Sequence, residues 1–185
     1  HIAHRAIRNL GTWGGSLAYG DPAAEWPACS LSLQATMVIH GPAGERKISA
    51  KDFFIDLYTT SLEPDEILIA TEISLANNYQ VFYFHELARR HGDYAVAGLA
   101  AVAEKQGNVL TNCAFTFFSV SATPVMAIAA QEVLNGQPLN EGLIAKAVVA
   151  ARKEIDAIAD ITNSAEAKTH LIGVLLERSL KQFIA

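Results

Sequence analysis

A chain of 185 residues with formal net charge −5, 51% hydrophobic and 18% charged, carries enough apolar material for a packed core, which excludes a largely disordered polypeptide. The acidic balance and the lack of any Lys/Arg-rich block argue against an electrostatic nucleic-acid binder. The longest apolar run, Ala95 to Ala103, falls far short of the roughly 18 residues a membrane span needs. Two distant cysteines, Cys29 and Cys113, exclude a disulfide scaffold, a zinc ribbon and a cysteine-ligated cluster. With no apolar leader at the first residues, the expected compartment is a reducing cytoplasm. The chain opens on His1 in what reads as mid-motif, so a fragment or processed polypeptide is expected.

Taken in chain order, Asp21-Pro22-Ala23-Ala24-Glu25 reads as a helix start, with a capping aspartate, a proline at the first helical position and an acid in the positive first turn. Ala35 to His40 and Glu45 to Ile48 read as strands joined through Gly41-Pro42-Ala43-Gly44. Ala50 to Leu57 reads as a short helix. Glu66 to Leu75 alternates, with Ile67, Ile69, Ile73 and Leu75 on one face and Glu66, Glu72 and Ser74 on the other. The polar Ala76-Asn77-Asn78 marks a boundary between a first unit, 1–76, and a second, 79–185. Beyond it, Gln80 to Leu87 is strand-like, and Gln106-Gly107-Asn108 joins two apolar runs as a hairpin. Thr123-Pro124 opens a helix closed by Asn135-Gly136, Asn140 caps a second, and Ser164 caps a third. Strands followed by helices give an α+β plan.

The stretch most able to carry chemistry is Gly11-Thr12-Trp13-Gly14-Gly15-Ser16. Three glycines in five residues permit positive φ and close backbone approach; successive amides there would form a nest suited to pyrophosphate oxygens, with the Thr12 and Ser16 hydroxyls added. A carboxylate at Asp21 would stand close by to accept from ribose hydroxyls. A tight structural turn is the other reading of these glycines, and the strand–glycine–helix pattern of a Rossmann site is missing. Arg89-Arg90-His91-Gly92-Asp93-Tyr94 is the second candidate: Gly92 implies a turn, and Tyr94 could stack on a planar ring or simply cover the core. The six histidines show no metal-ligand spacing, no nucleophile elbow appears, and Glu63, Asp65 and Glu66 read as a solvated turn. No catalytic side chain and no metal ligand is assigned.

At these residues the chain resembles the flavoprotein (medium) subunit of the molybdenum hydroxylases, the family of carbon monoxide dehydrogenase and of the FAD segment of xanthine dehydrogenase. His4 to Asn9 leading into Gly11 to Leu17 looks like the family's second FAD motif, and Asp21 to Glu25 follows at its spacing. Phe53-Phe54, Thr59-Thr60, Leu62 to Leu68, Gly92 to Ala95, Ala122 to Val125, and Ser164 to Glu166 with His170-Leu171 are similarly placed. The resemblance implies the second part of a PCMH-type FAD-binding domain, then a C-terminal domain of antiparallel strands packed with helices. It implies FAD contacts at Thr12, Trp13, Gly14, Gly15, Ser16, Asp21, Glu25, Leu68 and Tyr94, with Tyr94 beside the isoalloxazine. Trp13 departs from a common isoleucine, His85 from a lysine found in some relatives, and Phe118-Ser119 from a frequent Gly-Gly pair.

By the same resemblance, the function is electron transfer through FAD from iron–sulfur clusters to an external acceptor. The partners are a large molybdopterin subunit and a small [2Fe-2S] subunit, which hold the molybdopterin and the clusters. The family's N-terminal FAD subdomain, with its Ala-Gly-Gly-type loop, has no counterpart here. Losing two charge-assisted hydrogen bonds at about 1.5–3 kcal/mol each lowers affinity by orders of magnitude, so FAD binding by this polypeptide alone is an open expectation. A cofactor-free interaction or assembly module that keeps the fold is the competing reading, and a non-flavin phosphate binder the third.

Overall fold

The computed structural model describes residues 2–184. Two short helices come first, α1 (Arg5–Leu10) and α2 (Trp13–Tyr19), then α3 (Glu25–Ser32). A small sheet follows, built from β1 (Thr36–Gly41), β2 (Gly44–Ser49) and β5 (Ile67–Glu72) in the order β2-β1-β5, all antiparallel. Between β2 and β5 lie the one-turn helix α4 (Ala50–Phe53) and the pair β3 (Phe54–Asp56) and β4 (Thr59–Thr60). Leu17, Leu31, Met37, Ile39, Phe53 and Phe54 fill the core between sheet and helices.

The second part is an antiparallel sheet in the order β6-β7-β8-β9, from β6 (Gln80–Leu87), β7 (Ala97–Gln106), β8 (Val109–Phe118) and β9 (Val125–Met126). One face is covered by α5 (Ile128–Leu134), α6 (Glu141–Glu154) and α7 (Ala165–Ile184). The expected hairpin forms: Gln106 pairs with Val109, and Gly107 takes φ +61 in the turn. The expected caps also form, Asn140 Oδ1 accepting from the Leu143 amide at 2.9 Å and Ser164 Oγ from that of Ala167 at 3.2 Å.

Residues 97–103 are buried without alternation because β7 is covered on both sides. Leu99, Ala101 and Ala103 face the core under α5, α6 and α7. Ala100, on the opposite face, packs with Ala28 of α3, Ala95 and Phe118. Small side chains let α3 come close enough for Ser32 Oγ to donate to the Ala100 carbonyl at 2.8 Å. Helix α3 thereby joins the two sheets, which part between Glu72 and Gln80.

Three sequence expectations need correction. Helix α3 begins at Glu25, with Ala24 at the cap position; Asp21 Oδ1 accepts from the Ala23 amide at 2.9 Å, an Asx turn that precedes the helix. The helix expected over Ala50 to Leu57 stops at Phe53, because Phe54 enters β3 and is buried edge-on to Phe53 at 5.1 Å. The helix after Thr123-Pro124 starts only at Ile128, since Val125 and Met126 pair with Phe117 and Thr116 as β9.

On β5 the apolar alternation faces outward. Leu68 packs on the small core, while Ile67 is 68% exposed and Ile69 51%. The pairing of β1 with β5 shifts register between Val38 and Ile39, and a one-residue slip exchanges the faces of a strand. No helix among the described residues is long and apolar enough to cross a membrane.

Candidate functional site

The glycine-rich stretch folds as a capped helix start. None of Gly11, Gly14 and Gly15 has positive φ, so the expected positive-φ nest is corrected. Thr12, in extended backbone, caps α2 by accepting from the Gly15 amide at 3.0 Å, and the Ser16 amide donates to the Thr12 carbonyl at 3.1 Å. Two amides of the stretch are thus spent internally. The amides of Trp13 and Gly14, the first two of the helix, have no acceptor within it, and their end of the helix is the positive one. A Cβ on Gly14 would meet nothing within 4 Å, so the space beside that amide is open. Gly20 closes the helix with φ +67.

Thr12, Trp13, Ser16, Asp21, Glu25 and Tyr94 line one cavity of about 600 Å³. The structure therefore brings together two motifs about 80 residues apart. Gly14 and Gly15, in the same helix end, are not among the residues that line it. Leu68 does not line it either; it packs with the core under Leu17 and Met37. The Trp13 indole is held edge-on to Trp26 at 4.9 Å, and its Nε1–H donates to Thr71 Oγ1 of β5 at 3.1 Å.

Several lining residues went unpredicted, among them Arg8, Tyr19 and Trp26. Arg8 Nη1 donates to the carbonyls of Ile2 and Ala3 at 2.7 and 2.8 Å and folds the N-terminal segment back along the rim. His4 lies under Gly92, where φ is +86 and a Cβ would sit 2.4 Å from the imidazole. The glycine announced the turn, but the ring beneath it had no sequence signal. A second cavity, of about 740 Å³, shares Asp21, Gly92, Asp93 and Tyr94 with the first and continues towards Ser119, Asp160 and Lys168.

The electrostatics are set by carboxylates. Burial raises the Glu25 carboxyl above its usual range, although its place in the first turn of α3 favours the anion. Glu86 is raised by burial and then by the charge of Glu25. The Asp21 charge is the largest cause pushing the phenols of Tyr94 and Tyr58 upward. Burial, then Glu25, holds the Cys29 thiol up at about 11, and burial alone does the same for Cys113. Both thiols are protonated at neutral pH and are poor nucleophiles.

Residues 1–75 match the family model described as the FAD binding domain in molybdopterin dehydrogenase, and residues 82–183 match the CO dehydrogenase flavoprotein C-terminal domain. The chain belongs to the family of FAD-binding medium subunits of the molybdenum hydroxylases. It is 36% identical to the nicotine 6-hydroxylase medium subunit of Paenarthrobacter nicotinovorans, over 97% of this chain and 63% of that one. To the carbon monoxide dehydrogenase medium chain of Afipia carboxidovorans it is 34% identical, over 98% and 63%. A solved carbon monoxide dehydrogenase from Hydrogenophaga pseudoflava superposes with a TM-score of 0.94 at 32% identity, covering 97% of this chain and 63% of that one. The chain spans under two thirds of the length of these relatives.

Proposed function

We propose that this medium-subunit chain binds FAD in the 600 Å³ cavity and relays electrons within a molybdenum-containing hydroxylase, from iron–sulfur clusters to an external acceptor. The observation that carries the reading is the meeting of the α2 N-terminus and Tyr94 on one cavity. Its donor set suits the group: Trp13 and the hydroxyl-bearing Thr12 and Ser16 line the cavity, and the Gly14 amide, with open space beside it, lies next along the same positive helix end. In this reading, the amides of Trp13 and Gly14 and the two hydroxyls hold the pyrophosphate. Glu25 and Asp21 accept from sugar hydroxyls, and Tyr94 lies beside the isoalloxazine and limits access to it. FAD, when bound, supplies the redox chemistry; the side chains orient it and set its surroundings. The division into units 1–76 and 79–185, a large molybdopterin subunit and a small [2Fe-2S] subunit as partners, and a cytoplasmic location belong to the same proposal.

The internal bonds of Gly15 and Ser16 favour attention to a second reading, a cofactor-free assembly module, because they remove two donors from the cradle. Titration with FAD, followed by flavin absorbance and fluorescence, separates the two. The FAD reading expects a dissociation constant of about micromolar or tighter, near −8 kcal/mol, lost in Gly14→Val with the far-ultraviolet circular dichroism unchanged. A chain that takes up no flavin yet forms a stable complex with a molybdenum subunit is the module.

A further inference from the structure

Ser119, immediately after β8, has φ +62, a left-handed conformation that glycine adopts more readily. Its three backbone and side-chain polar groups are all committed, and to three different parts of the molecule. Its amide donates to the Pro22 carbonyl at 2.8 Å. Its hydroxyl donates to the Ala95 carbonyl. Its own carbonyl accepts from Lys168 Nζ of α7 at 2.7 Å. Pro22 follows Asp21 and Ala95 follows Tyr94, and both Asp21 and Tyr94 line the two cavities. Ser119 does not line the 600 Å³ cavity itself.

The third tie is anchored from behind. Lys168 is 5% exposed, and its ammonium lies 3.0 Å from Asp160 Oδ2. Asp160 Oδ1 is fixed in turn by the amides of Thr162 and Asn163 at 2.7 and 2.8 Å. A buried, paired lysine gives the Ser119 carbonyl a rigid donor, since leaving either partner unpaired is costly. The chain from α7 to Ser119 therefore ends on the backbone beside Asp21 and beside Tyr94.

We infer that Ser119 is a positioning residue of the flavin site: its amide and hydroxyl fix the placement of Asp21 relative to Tyr94, with the Lys168–Asp160 pair holding it from α7. The inference rests on the FAD reading for its role but on the hydrogen bonds above for its geometry. Serine at this strained position has a physical reason: glycine would satisfy the backbone and the two backbone ties, yet only a hydroxyl reaches the Ala95 carbonyl.

Ser119→Gly isolates that hydroxyl, because it leaves the left-handed backbone unstrained. Amide hydrogen exchange on the chain without cofactor is the first readout. The peptide covering residues 90–96 is expected to exchange about fivefold faster, the factor given by one ordinary hydrogen bond, with the melting temperature unchanged or higher. Ser119→Ala, which also lacks the hydroxyl, speeds the same peptide. Asn112→Gly relieves another positive-φ residue, at φ +48 on β8, and leaves residues 90–96 unchanged. With FAD present, Ser119→Gly raises flavin fluorescence as the tyrosine ring loosens. Unchanged exchange at 90–96 in both Ser119 variants overturns the inference whether or not FAD binds. Faster exchange in a chain whose wild type takes up no flavin overturns the FAD reading and leaves the Ser119 tie standing.

Discussion

The Thr12 hydroxyl accepts from the Gly15 amide at 3.0 Å, and a Cβ built on Gly15 would sit 2.8 Å from that same oxygen. A side chain at position 15 therefore competes with the cap for space, while its φ, outside the left-handed region, makes no demand for glycine. Thr12→Ala removes the cap and is expected to cost about 1 kcal/mol of unfolding free energy. Gly15→Ala displaces the hydroxyl but gains helix propensity of about 1 kcal/mol, so its net cost is smaller. Urea unfolding of the two variants checks the order. A larger loss for Gly15→Ala would mean that the glycine serves some other need of the backbone.

Glu66, expected as part of a solvated turn, is instead gripped by Arg46, with Oε1 2.7 Å from Nε and Oε2 2.6 Å from Nη2. It also accepts from the Glu63 amide at 2.9 Å. The hydrogen bonds from Arg46 and then from Glu63 hold its carboxyl at about 2, below the ordinary 4.5. A carboxyl depressed in the folded state binds its proton more readily when unfolded, so its stabilisation is complete above pH 4.5 and is lost as pH falls towards 2. Melting temperatures of wild type and Glu66→Gln are expected to differ by a constant margin from pH 5 to 8 and to converge between pH 4.5 and 2. A margin that persists at pH 2 would place the effect in packing.

Much of the plan was legible because it depends on local chemistry. Gly107 in the hairpin turn and the caps at Asn140 and Ser164 each act within a few residues of themselves. The elements misread were those decided from afar. Asp21 has the composition of a helix cap, but its carboxylate closes an Asx turn, and Pro22 is engaged by Ser119 from the end of β8. Val125 and Met126 are recruited by the edge of β8 before the helix can start. At the site, the residue types of Thr12, Ser16, Glu25 and Tyr94 were readable. The placement of Leu68 depended on a register shift in β1 and β5 that no local pattern encodes.

That register shift gives a third prediction. Ile69 is 51% exposed on the outer face of β5, while Leu17 is fully buried in the small core. Ile69→Lys is expected to change stability by no more than about 0.5 kcal/mol. Leu17→Ala is expected to cost about 2–5 kcal/mol through lost burial and a cavity. Equilibrium urea unfolding measures both. A cost for Ile69→Lys approaching that of Leu17→Ala would show the alternation facing the core, as the sequence pattern alone suggests.

Phe118 ends β8. Its ring is fully buried, stacked on Phe84 at 5.7 Å and 19°, and lies across Gly98 of the paired strand. A Cβ on Gly98 would fall 2.0 Å from Phe118 Cζ, so a large side chain at 118 and none at 98 are one packing decision. Gly98→Ala is expected to cost about 1–3 kcal/mol by overpacking, and Phe118→Ala about 3–5 kcal/mol by burial lost. With the ring gone, the added methyl has room, so the double variant is expected to be no less stable than Phe118→Ala alone. The shortfall from additivity is the coupling between the two positions. If Gly98→Ala costs as much without the ring as with it, the demand for glycine comes from the β7 backbone and the pairing with Phe118 is incidental.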